Sequence, residues 1–349
     1  MAEKIKKITG MRLFMPIVCL FIVLLVNVIR TPDFFNITLK DGQLSGWLID
    51  VINRGSELVI LAIGMTLVTA ASGGQDISVG AVMAVAAAVC CQILSGGEVS
   101  TNTLAAPIII AAIAGILVAA LCGAFNGFLV AKLNIQPMVA TLILFTAGRG
   151  IAQLVTQGQI TYVRVESYKA MGGFLGPIPT PVIFAVAAVI VAYLVLNKTA
   201  RGMYIESVGI NPRASRLFGL NSTKIIFITY AACGLCAGIA GMIATSRITS
   251  IDANNVGNLM ELDAILAVAL GGNSLAGGKF SVAGSVIGAI TIQALSTTLY
   301  AMKVTGDQLP LYKAIVVIII VTLQSPEFKK YLNRIKAKRA AKTAGEKVA

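Results

Sequence analysis

Polar residues in this chain fall in short breaks between long apolar runs. Ten runs are readable, at 12–29, 51–71, 77–95, 104–131, 137–156, 181–197, 225–246, 261–272, 282–299 and 311–324. A helix rises about 1.5 Å per residue, so roughly 20 apolar residues span a hydrocarbon core about 30 Å thick. A backbone in lipid must satisfy its own hydrogen bonds, so each run is predicted to be helical. The eighth run is too short to cross alone and is expected to be a half-helix or re-entrant segment buried in protein. The predicted fold class is an all-α membrane protein, a polytopic helical bundle of about ten transmembrane helices. No polar stretch is long enough for a separate soluble unit, so 1–349 reads as a single integral membrane domain.

Charge gives the orientation. The net charge is +13, with 28 Lys+Arg against 15 Asp+Glu. The excess sits near helix ends and in a basic tail at 325–349, so topology accounts for it without nucleic acid. An even number of crossings puts both ends on one side. Both ends are rich in Lys and Arg, which makes 1–11 and 325–349 cytoplasmic. Counting six crossings places 198–224 on the same side. That segment carries Lys198, Arg201, Arg213, Arg216 and Lys224 against the single acid Glu206. The first run is too long for a signal peptide and ends at Arg30-Thr31-Pro32 without a small-residue cleavage site, so it is read as a retained membrane helix.

Composition narrows the chemistry. The chain is 57% hydrophobic and 12% charged, against about 25% charged in a typical soluble protein. It has no histidine, which removes imidazole acid–base catalysis and imidazole metal sites. All six cysteines lie in apolar runs, and the Cys233-x-x-Cys236 pair reads as small apolar packing rather than a redox motif. No carboxylate cluster has metal or glycosidase spacing. The turn 271–280 looks faintly like a phosphate loop, but Asn273 replaces its first glycine and Phe280 its hydroxyl residue. The chain therefore reads as non-catalytic, with no cofactor of its own, and any ATP and Mg are used by a partner ATPase.

Arg54, Glu57, Asp76, Arg149, Glu261 and Asp263 lie in or beside apolar runs, where an unpaired charge is costly. Such groups face other helices or a wet cavity, or else sit at the interface. Arg54 and Glu57, three residues apart, can share one helix face as an ion pair. The 34 glycines include Gly123-x-x-x-Gly127, Gly234-x-x-x-Gly238 and Gly284-x-x-x-Gly288, a spacing that fits close helix packing. An internal echo joins two segments at a constant offset of 204 residues. Glu57-Leu58 matches Glu261-Leu262, Gly73-Gly74 matches Gly277-Gly278, and Gly80 matches Gly284. Counted along the runs, the two copies are parallel, as in transporters built from duplicated, Gly-interrupted units. In 198–224, Asn211-Pro212 is a helix start and Gly219 a helix stop, giving a short basic surface helix. It either satisfies topology alone or docks a cytoplasmic partner.

Several motifs occur in order over nearly the whole chain: 73–80 (Gly-Gly-Gln-Asp-Ile-Ser-Val-Gly), Asn126-Gly127, 135–142 (Ile-Gln-Pro-Met-Val-Ala-Thr-Leu), 208–214 (Val-Gly-Ile-Asn-Pro-Arg-Ala), 262–272 and 275–279. Together they resemble the permease subunit of ribose/galactose-type carbohydrate-uptake ABC transporters. Segments 39–46, 143–150 and 252–255 are most similar to a subgroup that takes up galactofuranose; Gln75 departs from the isoleucine usual in the family. The resemblance implies a homodimer in the bacterial inner membrane with a cytoplasmic ATP-binding subunit and an extracytoplasmic sugar-binding protein. It implies that Glu206, Gly209, Asn211, Arg213, Ala214 and Gly219 form an ATPase-coupling loop. Gly73, Gly74, Asp76, Asn126, Glu261, Asp263, Gly277 and Gly278 are candidates for the pathway or its gate. A stand-alone secondary transporter or channel for a small polar solute is the alternative that buried charges and paired glycine breaks also fit.

Overall fold

Residues 13–40 and 42–324 are described by the computed structural model; the expectations for 1–11 and 325–349 lie outside the described residues. All ten apolar runs are helical. They form α1 (Phe14–Arg30), α2 (Trp47–Ser72), α3 (Val79–Ser95), α4 (Ile108–Ala131), α5 (Pro137–Val155), α7 (Thr180–Asn197), α10 (Ser222–Ile248), α11 (Met260–Leu270), α12 (Val282–Ala301) and α13 (Leu309–Gln324). Between them lie α6 (Glu166–Gly172), α8 (Arg201–Ile210) and α9 (Pro212–Leu217). Six of these helices, α2, α4, α5, α7, α10 and α12, are long and apolar enough to cross a membrane. The eighth run is a half-helix, as expected: α11 has 11 residues, about 16 Å.

Lipid reverses the usual relation between apolarity and burial. Helix α4 is intensely apolar, yet its outer face leaves Ile109, Leu117 and Leu121 exposed. Helix α2 contains Asn53, Ser56, Glu57, Thr66 and Thr69, yet most of it is buried. The polar groups are inside because hydrocarbon offers them no partners. Around α2 pack α7, α10, α11 and α12, and α10 packs in turn on α3 and α4.

Glycine sets the closest crossings. A Cβ on Gly123 would overlap the Tyr230 carbonyl oxygen and stand 3.0 Å from the Gly234 Cα; one on Gly234 would overlap the Ala119 carbonyl. Helices α11 and α12 repeat the device, with Gly284 against Gly271 and Gly288 against Ala267. The Gly-x-x-x-Gly spacing therefore marks real packing faces. Cys233 and Cys236 are free thiols seated against Gly64 of α2.

Packing reveals a different repeat from the echo at offset 204. Helix α2 runs antiparallel to α10, since Glu57 meets Arg247, Gly64 meets Cys233 and Ser72 meets Tyr230. A long helix followed by a shorter one describes both α2–α3 and α10–α11. Helix α4 lies against α10 as α12 lies against α2, and α3–α4 pack as α11–α12 do. The packing thus pairs α2–α5 with α10–α13 in opposite directions. In the echo, by contrast, long-then-short is matched to short-then-long.

Away from the basic loop, β3 (Ser100–Thr101), β4 (Thr161–Val163) and β7 (Ser250–Ile251) form a small mixed sheet. Two hairpins, β1–β2 (Thr38–Lys40, Gln43–Ser45) and β5–β6 (Phe174–Leu175, Ile178–Pro179), lie at that same end. Buried Tyr168 of α6 bonds Thr245 Oγ1 at 2.8 Å, tying α6 to α10.

We expect Gly123→Leu to destabilise the bundle by about 1–3 kcal/mol or more through overpacking, read as a lower unfolding midpoint in detergent. Gly150→Ala, where nothing lies within 4 Å of the new Cβ, should leave the midpoint unchanged or slightly raised.

Candidate functional site

At the basic end, three segments meet through bare backbone. Helix α2 stops at Gly73, which takes the left-handed conformation at φ 65°. Helix α11 stops at Gly271-Gly272, and the loop that follows turns through Gly277 (φ 90°) and Gly278 (φ 89°) before α12. Side chains with a Cβ rarely adopt such angles. Asn273 shapes that loop, donating to Ser285 Oγ at 2.7 Å and accepting from Ser281 N at 2.6 Å.

The two breaks are fastened together. Gly278 N donates to Ala70 O at 2.9 Å, and Gln75 Nε2 to Leu275 O at 3.2 Å. Helix α8 then rests on both. A Cβ on Gly209 would overlap the Ala70 carbonyl oxygen and stand 2.6 Å from Gly278 N; one on Gly277 would stand 3.2 Å from Gly209 O. One turn earlier on α8, the Glu206 carboxylate accepts from Phe280 N at 3.4 Å.

Helix α9 extends this junction outward. The Asn211 side chain caps it, accepting from Arg213 N at 3.1 Å and Ala214 N at 3.0 Å, with Pro212 at its first position. Gly219 follows it at φ 83°. Arg216 clamps α9 to the start of α10 through Ser222 and Thr223. At the end of α9, Leu217 and Phe218 are 89% and 87% exposed.

Deeper in the bundle lie four charged groups, each with its own partners. Helix α5 serves as a ruler. Gly74 touches Pro137 at its start, Ile77 N donates to Thr141 Oγ1 at 3.2 Å, and Gly148 faces Ala81. Ile77 thus lies about 6 Å up α5 and Ala81 about 16 Å, so α3 begins between those two depths, inside the bundle. There Asp76, 2% exposed, accepts from Ser78 N at 2.9 Å, Ser78 Oγ at 2.6 Å and Asn126 Nδ2 at 3.4 Å.

Segment 252–259 descends beside α5 to the same depth, held by Arg149 donating to the Ala253 and Val256 carbonyls. Helix α11 starts there, with Gly257 packed against Gly80. Buried Glu261, in the first turn of α11, lies beside Gly80 and within electrostatic reach of Arg149. Asp263 pairs with Lys313 of α13 at 2.8 Å. Asp76, Glu261 and Asp263 thus sit by the N-termini of the two short helices, where the helix dipole favours negative charge.

The fourth site corrects an expectation. Glu57 pairs not with Arg54 but with Arg247 of α10, at 2.8 Å, and Arg247 also donates to the Asn53 carbonyl and side chain at 3.2 Å. Arg54 lies on the exposed face of α2, whereas Glu57 is buried, so one helix face does not hold both.

The predicted residues therefore fall into separate groups. Gly73, Gly277 and Gly278 join Glu206 and Gly209 in the backbone junction, while Asn211, Arg213, Ala214 and Gly219 build the outer hairpin. Gly74 packs on α5. Asp76 with Asn126, Glu261, and Asp263 form three separate buried clusters. Sequence reasoning did not single out Leu217, Phe218, Arg247 or Lys313. An apolar pair closing a short polar helix was the readable signal for the first two.

The family model described as "branched-chain amino acid transport system / permease component" matches residues 47–323. The chain is 44% identical over 323 residues to the galactofuranose transporter permease protein YtfT of Escherichia coli (strain K12), covering 92% of each chain. It is 38% identical over 352 residues to the fructose import permease protein FruF of Bifidobacterium longum, covering 99% of this chain and 96% of the other. It is 33% identical over 314 residues to the ribose import permease protein RbsC of E. coli (strain K12), covering 88% and 92%. The chain belongs to this permease family, whose members are transport subunits and not enzymes.

Two outcomes test the buried clusters. Arg247→Leu strands the Glu57 carboxylate and should lower stability in detergent by about 3–5 kcal/mol, whereas Glu57→Leu with Arg247→Leu should recover most of it. Asp76→Ala orphans the Ser78 N–H and O–H donors at about 1–3 kcal/mol each, while Asn126 Nδ2 keeps its bond to Ser78 Oγ at 2.8 Å; Asp76→Asn keeps an acceptor and should lose less on the same unfolding curve.

Proposed function

We propose that this permease passes a monosaccharide of the galactofuranose, fructose or ribose kind into the cytoplasm, driven by a separate ATP-hydrolysing subunit. The reading treats 1–349 as one integral domain in the bacterial inner membrane, acting as a homodimer. An extracytoplasmic binding protein delivers the sugar at the end that carries the β3–β4–β7 sheet. Both termini are cytoplasmic in this reading. Lys132, Lys198, Arg201, Arg213, Arg216 and Lys224 at the α8–α9 end support that orientation by the positive-inside rule.

One observation carries the coupling assignment. The α8–α9 hairpin touches both glycine breaks through Gly209, and it presents Leu217 and Phe218 outward. Large apolar side chains so exposed beside basic residues suit a groove on a partner protein. A partner that moves on ATP binding pushes α8–α9. Because α8 rests on Ala70 and Gly278, the push reaches the ends of α2 and α11 together. ATP shifts the equilibrium between inward and outward access by the difference in its affinity for the two states.

The test starts from native membranes. Purification in mild detergent should yield a P-loop ATPase at one per permease and two permeases per particle. Leu217→Ser with Phe218→Ser should strip that ATPase while the permease itself still elutes as a folded peak. Gly209→Val and Ala214→Glu should keep ATP hydrolysis but lose at least about 90% of sugar uptake in proteoliposomes, the size expected for a broken coupling contact of about 1.4 kcal/mol or more. Purification alone, with solute movement in liposomes without ATP, overturns this reading in favour of a secondary transporter.

A further inference from the structure

Between α7, α8 and α10, at the basic end, lies a groove of about 680 Å³. Its wall follows one face of α10 through Ile225, Ile228 and Ala232, about two turns, and is completed by Leu67 and Val195. Arg201 and Lys224 stand at its mouth, and no acidic side chain lines it. Both cations are exposed, and neither has a carboxylate partner among the described residues. On the other side of Lys224 lies a second groove of about 390 Å³, lined by Phe128, Phe227 and Lys132. Three cations therefore ring the first turn of α10.

We propose that the larger groove is a binding site for one anionic glycerophospholipid. Its phosphate lies between Arg201 and Lys224, and an acyl chain lies along Ile225, Ile228 and Ala232. Two features favour lipid over other occupants. The groove opens sideways onto the apolar faces of α7 and α10, where Val191, Leu194 and Ile228 are exposed. Its charge is of one sign and gathered at a single end, which matches a molecule with an anionic head and an apolar tail. A sugar would need hydrogen-bonding groups along the whole wall, and the inner part offers only Thr229, whose hydroxyl already donates to Ile226 O at 2.7 Å. Since Arg201 begins α8, a lipid phosphate held here braces the base of the coupling hairpin. The site does not depend on which solute the permease carries.

The experiment uses the full-length chain in detergent and a phosphatidylglycerol with a photoreactive group in its acyl chain, with cross-links mapped by mass spectrometry. Detergent exposes both ends, so the result is independent of orientation. Cross-links should concentrate at 195–205 and 225–232, and unlabelled phosphatidylglycerol should compete at least tenfold better than phosphatidylcholine. Arg201→Gln with Lys224→Gln should weaken labelling roughly thirtyfold, as expected for two cations near a lipid phosphate. Ala232→Phe, or Ile228→Trp where the first variant fails to fold, fills the groove without changing charge and should abolish labelling there. Lys303→Gln, outside both grooves, should change nothing. Equal competition by phosphatidylcholine overturns the proposal, as does labelling that survives the filled groove. Labelling lost when the ATP-hydrolysing subunit binds also overturns it, because the groove is then a protein seat.

Discussion

Peptide against peptide at Gly73, Gly209 and Gly277 is the contact on which the proposed coupling depends. At that point α8 has no side chain between its own backbone and the last turn of α2. Long side chains absorb small displacements by changing rotamer, but two touching backbones do not. Glycine is required twice over: Gly73, Gly277 and Gly278 need left-handed φ, and Gly209 needs the absence of a Cβ. The Gly278 N to Ala70 O bond adds direction, because it joins two helix ends that are distant in sequence.

The membrane imposes the second constraint. With hydrocarbon outside, burial of polar groups is the cheaper option, so the bundle is lined inside with what lipid rejects. Three of the inward-facing acids have side-chain partners. Asp76 has two hydroxyl or amide side chains and a backbone N–H, Asp263 has Lys313, and Glu57 has Arg247. Asp76, Glu261 and Asp263 stand by the N-termini of α3 and α11, so breaking the helices inside the bundle creates the places where acids are tolerated. A continuous helix at those positions would have offered no free N–H groups to them.

Run length and apolarity made the helices legible, and the Asn-Pro start with a Gly stop made α9 legible almost to the residue. The chemistry of those signals is local. What sequence did not disclose depends on distant pairing. Arg54 stands three residues from Glu57, yet the true partner is on α10, because α2 turns its Glu57 face inward against an antiparallel neighbour. The echo at offset 204 matched glycine to glycine correctly in place but paired a long helix with a short one; helix direction and length appear only in the packing. Helix α8 carries mixed polar and apolar residues; the family resemblance pointed to Gly209, but the physical reason for a glycine there shows only when Ala70 lies against it.

Why broken helices suit the proposed inward and outward states follows from their hydrogen bonds. Bending a continuous helix such as α2 would stretch its internal ladder. Helices α3 and α11 already end inside the bundle; Ser78, just before α3, donates to Asp76, and Met260 N at the start of α11 donates to Gly257 O. Each is also fastened to a larger body: α3 to α4 through Asp76 and Asn126, and α11 to α12 through Gly271 with Gly284 and Gly288 with Ala267. Those contacts are rigid, so a displacement of each pair concentrates in 73–78 and 252–259, where backbone already turns. The glycine junction sits at one end of that path and the meeting of Gly80 with Gly257 at the other. In the proposed coupling, a push on α8 is therefore taken up at the 73–78 turn and carried inward by α3 and α4 moving as one unit.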